Sequence, residues 1–120
     1  MGPTDATQAL LERALAGSAL RQSVLADNLA NANTPGFRRQ DVNFEGALAQ
    51  AMDAGDSQPQ LDSVQFSPQV DQKAQARADG NTVDVDTEMA AISENALTYQ
   101  TLAEVARARM KMIETALGGH

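Results

Sequence analysis

Val85, Met89, Ile92, Ala96, Tyr99, Ala103, Ala106, Met110, Ile113 and Leu117 recur at alternating steps of four and three, and every one is apolar. A repeat of this kind, held without interruption, predicts a long helix carrying a coiled-coil seam over 83–117. At about 1.5 Å per residue that helix would be roughly 45–50 Å long. It cannot bury its own seam. Each large apolar side chain taken out of water contributes about 1.5–3 kcal/mol, so the helix requires a partner. Asp84 or Asp86 suits the N-cap, and the carboxylates of Asp86 and Glu88 suit the positive end of the helix dipole. Gly118-Gly119 supplies a stop.

The natural first partner lies at the other end of the chain. Residues 4–32 read as one helix, with Asp5 as N-cap and Gln8 three residues on as a weak capping box. Leu11, Leu15, Ser18, Gln22, Leu25, Leu29 and Ala32 follow the same four-three spacing. Ser18 and Gln22 make the centre of that stripe polar, which predicts firm packing at its ends and weaker packing between them. Gly17 weakens the helix by about 1 kcal/mol relative to alanine. The stop is explicit: Thr34 precedes a proline and is pushed out of the α region. Pro35-Gly36 then fits the central positions of a type II turn, with Gly36 at positive φ.

Between the two helices the period is lost. Arg38, Arg39 and Asp41 read as solvated, and Val42, Phe44, Leu48 and Met52 suggest a helical turn or two. Residues 53–57 are small and polar, and Leu61, Val64, Phe66 and Val70 are scattered among Gln, Ser and Pro. The stretch reads as a short hairpin, an extended arm, or a segment disordered until a partner binds. A structureless stretch of that length is unusual in a compact domain. The expected architecture is therefore all-α: two long terminal helices pair as an antiparallel, coiled-coil-like packing domain around a short irregular or partly disordered middle. Residues 1–36, 37–82 and 83–120 form one discontinuous domain.

Several function classes find no support. The 120-residue chain carries a net charge of −7, which opposes binding to nucleic acid or an anionic membrane. It has no cysteine, hence no disulfide or thiolate metal site. No apolar run approaches the roughly 18 residues of a membrane span, and no secretory signal is visible. His120, the one histidine, is terminal and cannot support a histidine-based triad or a multi-histidine metal site. Asp84, Asp86 and Glu88 lack the glycine and distal glutamate of an EF-hand loop, so capping is the better reading. Asn28, Asn31 and Asn33 have no nucleophile beside them, and fit helix capping and hydrogen bonding between subunits. Met89, Met110 and Met112 suit packing better than ligand capture. No catalytic residue, cofactor, metal or small-molecule substrate is expected.

One run carries more than periodicity. Asn28-Leu29-Ala30-Asn31, followed by Thr34-Pro35-Gly36-Phe37, resembles the signature of flagellar rod and hook proteins. There an apolar helix runs into Asn-apolar-Ala-Asn-x-x-Thr-Pro-Gly-aromatic. Glu88-Met89, Asn95-Ala96-Leu97 and Tyr99-Gln100 are similar to motifs of the family's other terminal helix. The middle is unmatched, and its shortness resembles the proximal rod subunits, of which two related types share a similar length.

The resemblance implies a structural subunit, not an enzyme. It would polymerise by its terminal helices into a tube that joins the membrane ring to the distal rod and hook and transmits torque. Implied partners are copies of itself, other rod subunits, and proteins of the membrane ring and export gate. The implied location is the basal body, reached through the flagellar type III apparatus without a cleaved signal peptide. Expected packing residues are Leu11, Leu15, Leu25, Asn28, Leu29 and Asn31 on the first helix, and Thr34, Pro35, Gly36 and Phe37 in the turn. On the last helix they are Met89, Ile92, Ala96, Tyr99, Ala103, Met110 and Ile113. The seam is expected to pack on 11–29 within the subunit, leaving Leu97, Leu102 and Val105 for neighbours. Phe44 and Leu48 resemble the Phe-x-x-x-apolar element of early export substrates; a plain amphipathic turn accounts for them equally. A soluble helical export chaperone or adaptor is the competing class, explaining the acidity and the seam but not the Asn-to-Phe run. A small helical enzyme is the third.

Overall fold

In the computed structural model, the described residues are 3–53, 61 and 63–118. Element α1 runs Pro3–Ala30, β1 is Gln40–Asp41, α2 is Phe44–Asp53, β2 is Gln69–Val70 and α3 is Val85–Gly118. The expectation of partial disorder falls in part on residues 54–60 and 62, outside the described residues. The second glycine of the C-terminal stop lies outside them too.

The molecule is long and thin, measuring 63 × 30 × 14 Å. Helices α1 and α3 pair antiparallel: Asn28 meets Glu88, and Ser18 meets Asn95. The all-α pairing of the terminal helices is therefore the architecture of the chain. Helix α1 begins at Pro3, ahead of the expected Asp5 cap. Proline is well tolerated in a first helical turn, where its missing N–H would have no partner. The α3 start is capped by Asp84, whose carboxylate accepts from the Thr87 amide at 3.3 Å.

The middle is more ordered than its composition suggested. Asn43 caps α2 through the Gly46 amide at 3.0 Å, and the helix then continues for ten residues. Its apolar face supplies Phe44 and Leu48 to a small core with Ala9, Ala14, Val42 and Leu61. β1 and β2 form a two-residue antiparallel ladder, Gln40 opposite Val70 and Asp41 opposite Gln69. The Arg13 guanidinium donates to the Val64 carbonyl and lies 5.0 Å above the Phe66 ring, so the return segment is fastened to α1.

Gly17 is explained by this middle. A Cβ placed there would lie 2.5 Å from Phe44 Cβ and 2.8 Å from its Cγ. Glycine lets α2 approach the α1 backbone, and that close approach outweighs its poor helix propensity. Gly17→Ala is expected to destabilise the chain by about 1–3 kcal/mol, as overpacking does. Propensity alone predicts stabilisation of about 1 kcal/mol. The sign of the shift in a urea melt decides between the two effects.

The orientation of α3 differs from the expected seam. Glu88, Asn95 and Ala106 are its buried residues, while Ile92, Leu102, Arg109 and Ile113 are half-buried. Val85, Met89, Ala96, Tyr99, Met110 and Leu117 are exposed. The helix thus packs on a four-three frame that keeps Ile92, Ala106 and Ile113 but takes Glu88, Asn95, Leu102 and Arg109 where Met89, Ala96, Ala103 and Met110 were expected. Adjacent residues on a helix point about 100° apart, and because the two frames share every other position the buried seam is turned by about half of that. Leu102, expected to face neighbours, packs instead against the small core. The centre of α1 is not loose either: Ser18 is fully buried because Asn95 donates to its carbonyl at 2.8 Å.

Candidate assembly site

The run after α1 closes as a turn built by its own residues and by a distant segment. The Phe37 amide donates to the Thr34 carbonyl at 3.2 Å, and Gly36 has φ 75°. That is the expected type II turn. A second positive-φ glycine, Gly80 at 84°, packs against it, and a Cβ there would lie 3.4 Å from the Gly36 Cα. The Gly36 amide donates to the Asp79 carbonyl at 2.9 Å, and the Thr82 amide to the Phe37 carbonyl at 3.0 Å. Among the described residues, nothing lies within 4 Å of the position a Cβ would take on Gly36. Gly36→Val is therefore expected to cost about 1–2 kcal/mol through backbone strain alone. Gly36→Asn should cost less, since Asn tolerates that region; paired thermal melts measure the difference.

The last turn of α1 is closed locally, the Asn31 amide donating to the Asp27 and Asn28 carbonyls and the Ala32 amide to that of Leu29. Asn81, fully buried, donates to the carbonyls of Asn31, Ala32 and Thr34, in the turn that follows, at 2.9, 3.1 and 2.8 Å. Its side-chain oxygen accepts from the Val83 amide at 2.7 Å. Arg77 donates to the Ala32 and Val83 carbonyls, which places a cation near the negative end of the α1 dipole. One asparagine thus holds the turn after α1 and sets the entry to α3.

Beside this turn lies a buried ionic centre. Arg39, expected to be solvated, has a side chain only 12% exposed. It is bidentate to Glu88, pairs with Asp71 at 2.7 Å and approaches Asp41 at 3.6 Å. The Glu88 hydrogen bonds, set against the cost of burial, hold the Arg39 guanidinium above its ordinary range. Glu88 also accepts from Asn28 at 3.3 Å. Asn28 in turn donates to the Gln40 carbonyl at 2.7 Å and accepts from the Gln40 amide at 3.0 Å. Asn28, read as a cap, instead ties β1 to both long helices. Asn31 does behave as a local cap, donating to the Asp27 carbonyl at 2.9 Å and accepting from the Thr34 hydroxyl at 3.1 Å.

Asp41 pairs with Arg21 at 2.8 Å. Burial pushes its carboxyl up. The hydrogen bonds from Arg21 and the Val42 amide, with the charges of Arg21 and Arg39, outweigh that and hold it below the usual value. A lowered folded-state pKa gives stability that is present above the ordinary carboxylate value, about 3.9, and lost as pH falls through the lower one. Urea midpoints should therefore begin to drop as pH falls through about 3.9 and keep dropping until the lower folded-state value is passed. Asp41→Asn should flatten that drop.

The expected packing residues thus separate into two sets. Leu25 and Asn28 are buried, and Leu11, Leu15, Leu29, Asn31 and Phe37 are half-buried. Ile92, Ala103 and Ile113 are half-buried on α3. Thr34, Pro35 and Gly36 stand on the surface, and Met89, Ala96, Tyr99 and Met110 are exposed. Exposure reaches 54% at Met89, 64% at Leu97 and 50% at Met110. This surface can present apolar area and a rigid turn to other proteins. Among the described residues no group of three or more His, Cys, Asp or Glu side chains is placed to hold a metal ion. Among the described residues, no helix is long and apolar enough to cross a membrane.

Residues 10–38, spanning α1 and the turn, match the family described as flagella basal body rod protein. The flagellar basal body rod protein FlgB of Aeromonas hydrophila is 34% identical over 88% of this chain and 88% of its own length. The chain belongs to the flagellar basal body rod protein family. FlgB of Salmonella typhimurium is 34% identical over 96% of this chain and 95% of its own, and FlgB of Bacillus subtilis 29% over 91% of each. The family match ends just before Arg39 and omits Asn81, Glu88 and Asn95. Sequence reasoning also missed the roles of Arg39 and Asn81, because the partners that define them are 32 to 50 residues away. The one available signal was Asn81 beside the α3 cap.

Proposed function

We propose that this protein is a structural subunit of the flagellar proximal rod that assembles through its terminal helices and transmits torque between the membrane ring and the distal rod and hook. The observation that carries the reading is the α3 surface. A helix already paired with α1 and held by buried polar contacts still exposes Met89, Leu97, Tyr99, Val105, Met110 and Met112. Each is large and apolar, and together they run along a thin, elongated molecule. Apolar area arranged in that way is expected where another protein packs. A contact between unlike faces that does not close on itself produces a helical tube. The rigid turn at Thr34–Phe37 supplies a second contact surface.

Other rod subunits are the partners, together with the membrane-ring and export-gate proteins, and the subunit reaches the rod through the type III apparatus. Phe44 and Leu48 are buried in the folded chain, so an export gate meets them only in an unfolded one. Mass spectrometry of purified hook–basal bodies from the encoding bacterium tests the function. The chain is expected in several copies per basal body. Recovery only from the cytoplasm would discard the rod reading and favour the export adaptor.

A further inference from the structure

Helix α3 carries two overlapping four-three frames that share Ile92, Tyr99, Ala106 and Ile113, of which Tyr99 is exposed. One is completed by Met89, Ala96, Ala103 and Met110 and is wholly apolar. The other is completed by Glu88, Asn95, Leu102 and Arg109, and this second frame faces inward. Hydrophobic burial alone would select the first. The polar frame wins because α1 presents partners that only it can satisfy. Asn95 donates to the Ser18 carbonyl and to the Gln22 side chain, both at 2.8 Å, and accepts from the Ser18 hydroxyl at 3.3 Å. Glu88 accepts from Asn28 and Arg39. Asn95, Glu88, Ser18 and Asn28 are all essentially without solvent exposure. Even so, the Arg109 Nε is buried on this face without a hydrogen-bond partner.

We infer that Asn95 and Glu88 are orientation-setting residues: they lock α3 in its polar frame and thereby hold the apolar frame outward. A polar side chain buried at a single seam position is known to specify register at a cost in stability. Asn95 and Glu88 stand seven residues apart, at the same position of successive heptads, and the lock requires both. Turning the helix onto the other frame would bury Met89 and Met110 against α1 and strand the Asn28 and Ser18 groups. The inference rests on the rod reading only for the use of the outward face. The orientation itself is a property of the single chain.

The test exploits the absence of cysteine. Met89→Cys and Met110→Cys are each introduced into the full chain, and thiol-modification rates are measured on the isolated protein. Both sites are expected to react at close to the rate of an unfolded peptide. Adding Asn95→Leu is expected to slow both at least about tenfold with helix content by circular dichroism retained, a factor that corresponds to one RT ln 10 step of protection. Position 110 lies 15 residues from 95, so local shielding by the new leucine does not account for a change there. Asn95→Ser, which keeps a polar seam, should leave both rates unchanged. A folded Asn95→Leu chain with unaltered rates overturns the lock. So does one that unfolds, because it shows that no apolar frame was available. Incorporation of the Asn95→Leu chain into basal bodies is scored separately. Slowed labelling with normal incorporation upholds the lock and removes the rod reading of the outward face.

Discussion

Replacing Arg39 by alanine is expected to destabilise the folded chain by about 3–5 kcal/mol, the usual cost of removing one partner from a buried ion pair. Glu88 has no solvent exposure, so its carboxylate would keep only the long Asn28 contact of 3.3 Å. Asp71 and Asp41 would lose the same cation, and the β1–β2 ladder would lose the charge that joins its two strands to α3. The effect should therefore exceed that of Arg38→Ala, which removes an exposed side chain and should stay within about 0.5 kcal/mol. Arg39→Met combined with Glu88→Met is expected to recover much of the loss, since an apolar pair of similar volume is often neutral in place of a buried ion pair. Urea titrations of the three variants and the unaltered chain, followed by circular dichroism, give the comparison. A single Arg39→Ala loss below about 1 kcal/mol, the range of a surface pair, would show that the centre is effectively solvated.

Phe44→Ala should cost about as much by a different mechanism. Phe44 is buried among Ala9, Ala14, Val42, Leu48 and Leu61, and truncating a core phenylalanine costs about 3–5 kcal/mol in lost transfer energy and cavity formation. The substitution also removes the obstacle to a side chain at position 17. Gly17→Ala in the Phe44→Ala background is then expected to become neutral or stabilising, a coupling that a double-mutant cycle measures directly. The same variant tests the proposed export role. Destabilising a chain that must be threaded unfolded should ease its passage. A fall in secretion of Phe44→Ala would therefore point to recognition of the side chain, and unchanged secretion would remove Phe44 and Leu48 from the export reading.

Much of this protein was legible in short-range patterns. The two long helices follow from apolar periodicity, and the end of α1 from proline and the residue before it. Asp84 was one of two candidate caps. Local steric rules and hydrogen bonds within four residues decide such features, and those depend on the order of the residues alone. The run from Asn28 to Phe37 was equally readable, because a tight turn constrains several neighbouring positions at once.

Tertiary structure decided what periodicity leaves degenerate. Residues 85–117 satisfy two seams that share every other position, and apolarity favours the one that is turned outward. The choice rests on hydrogen bonds that Asn95 makes to α1 and that Glu88 accepts from Asn28 and Arg39, groups 49 to 77 residues distant. For the same reason Arg39 looked like a solvated surface charge and Asn81 like a linker residue, although one neutralises a buried carboxylate and the other holds the turn after a helix fifty residues away. Sequence by itself determined which helices form and where they stop. Only the folded chain decided which side of α3 is hidden, because an unpaired buried polar group costs more than an exposed methionine.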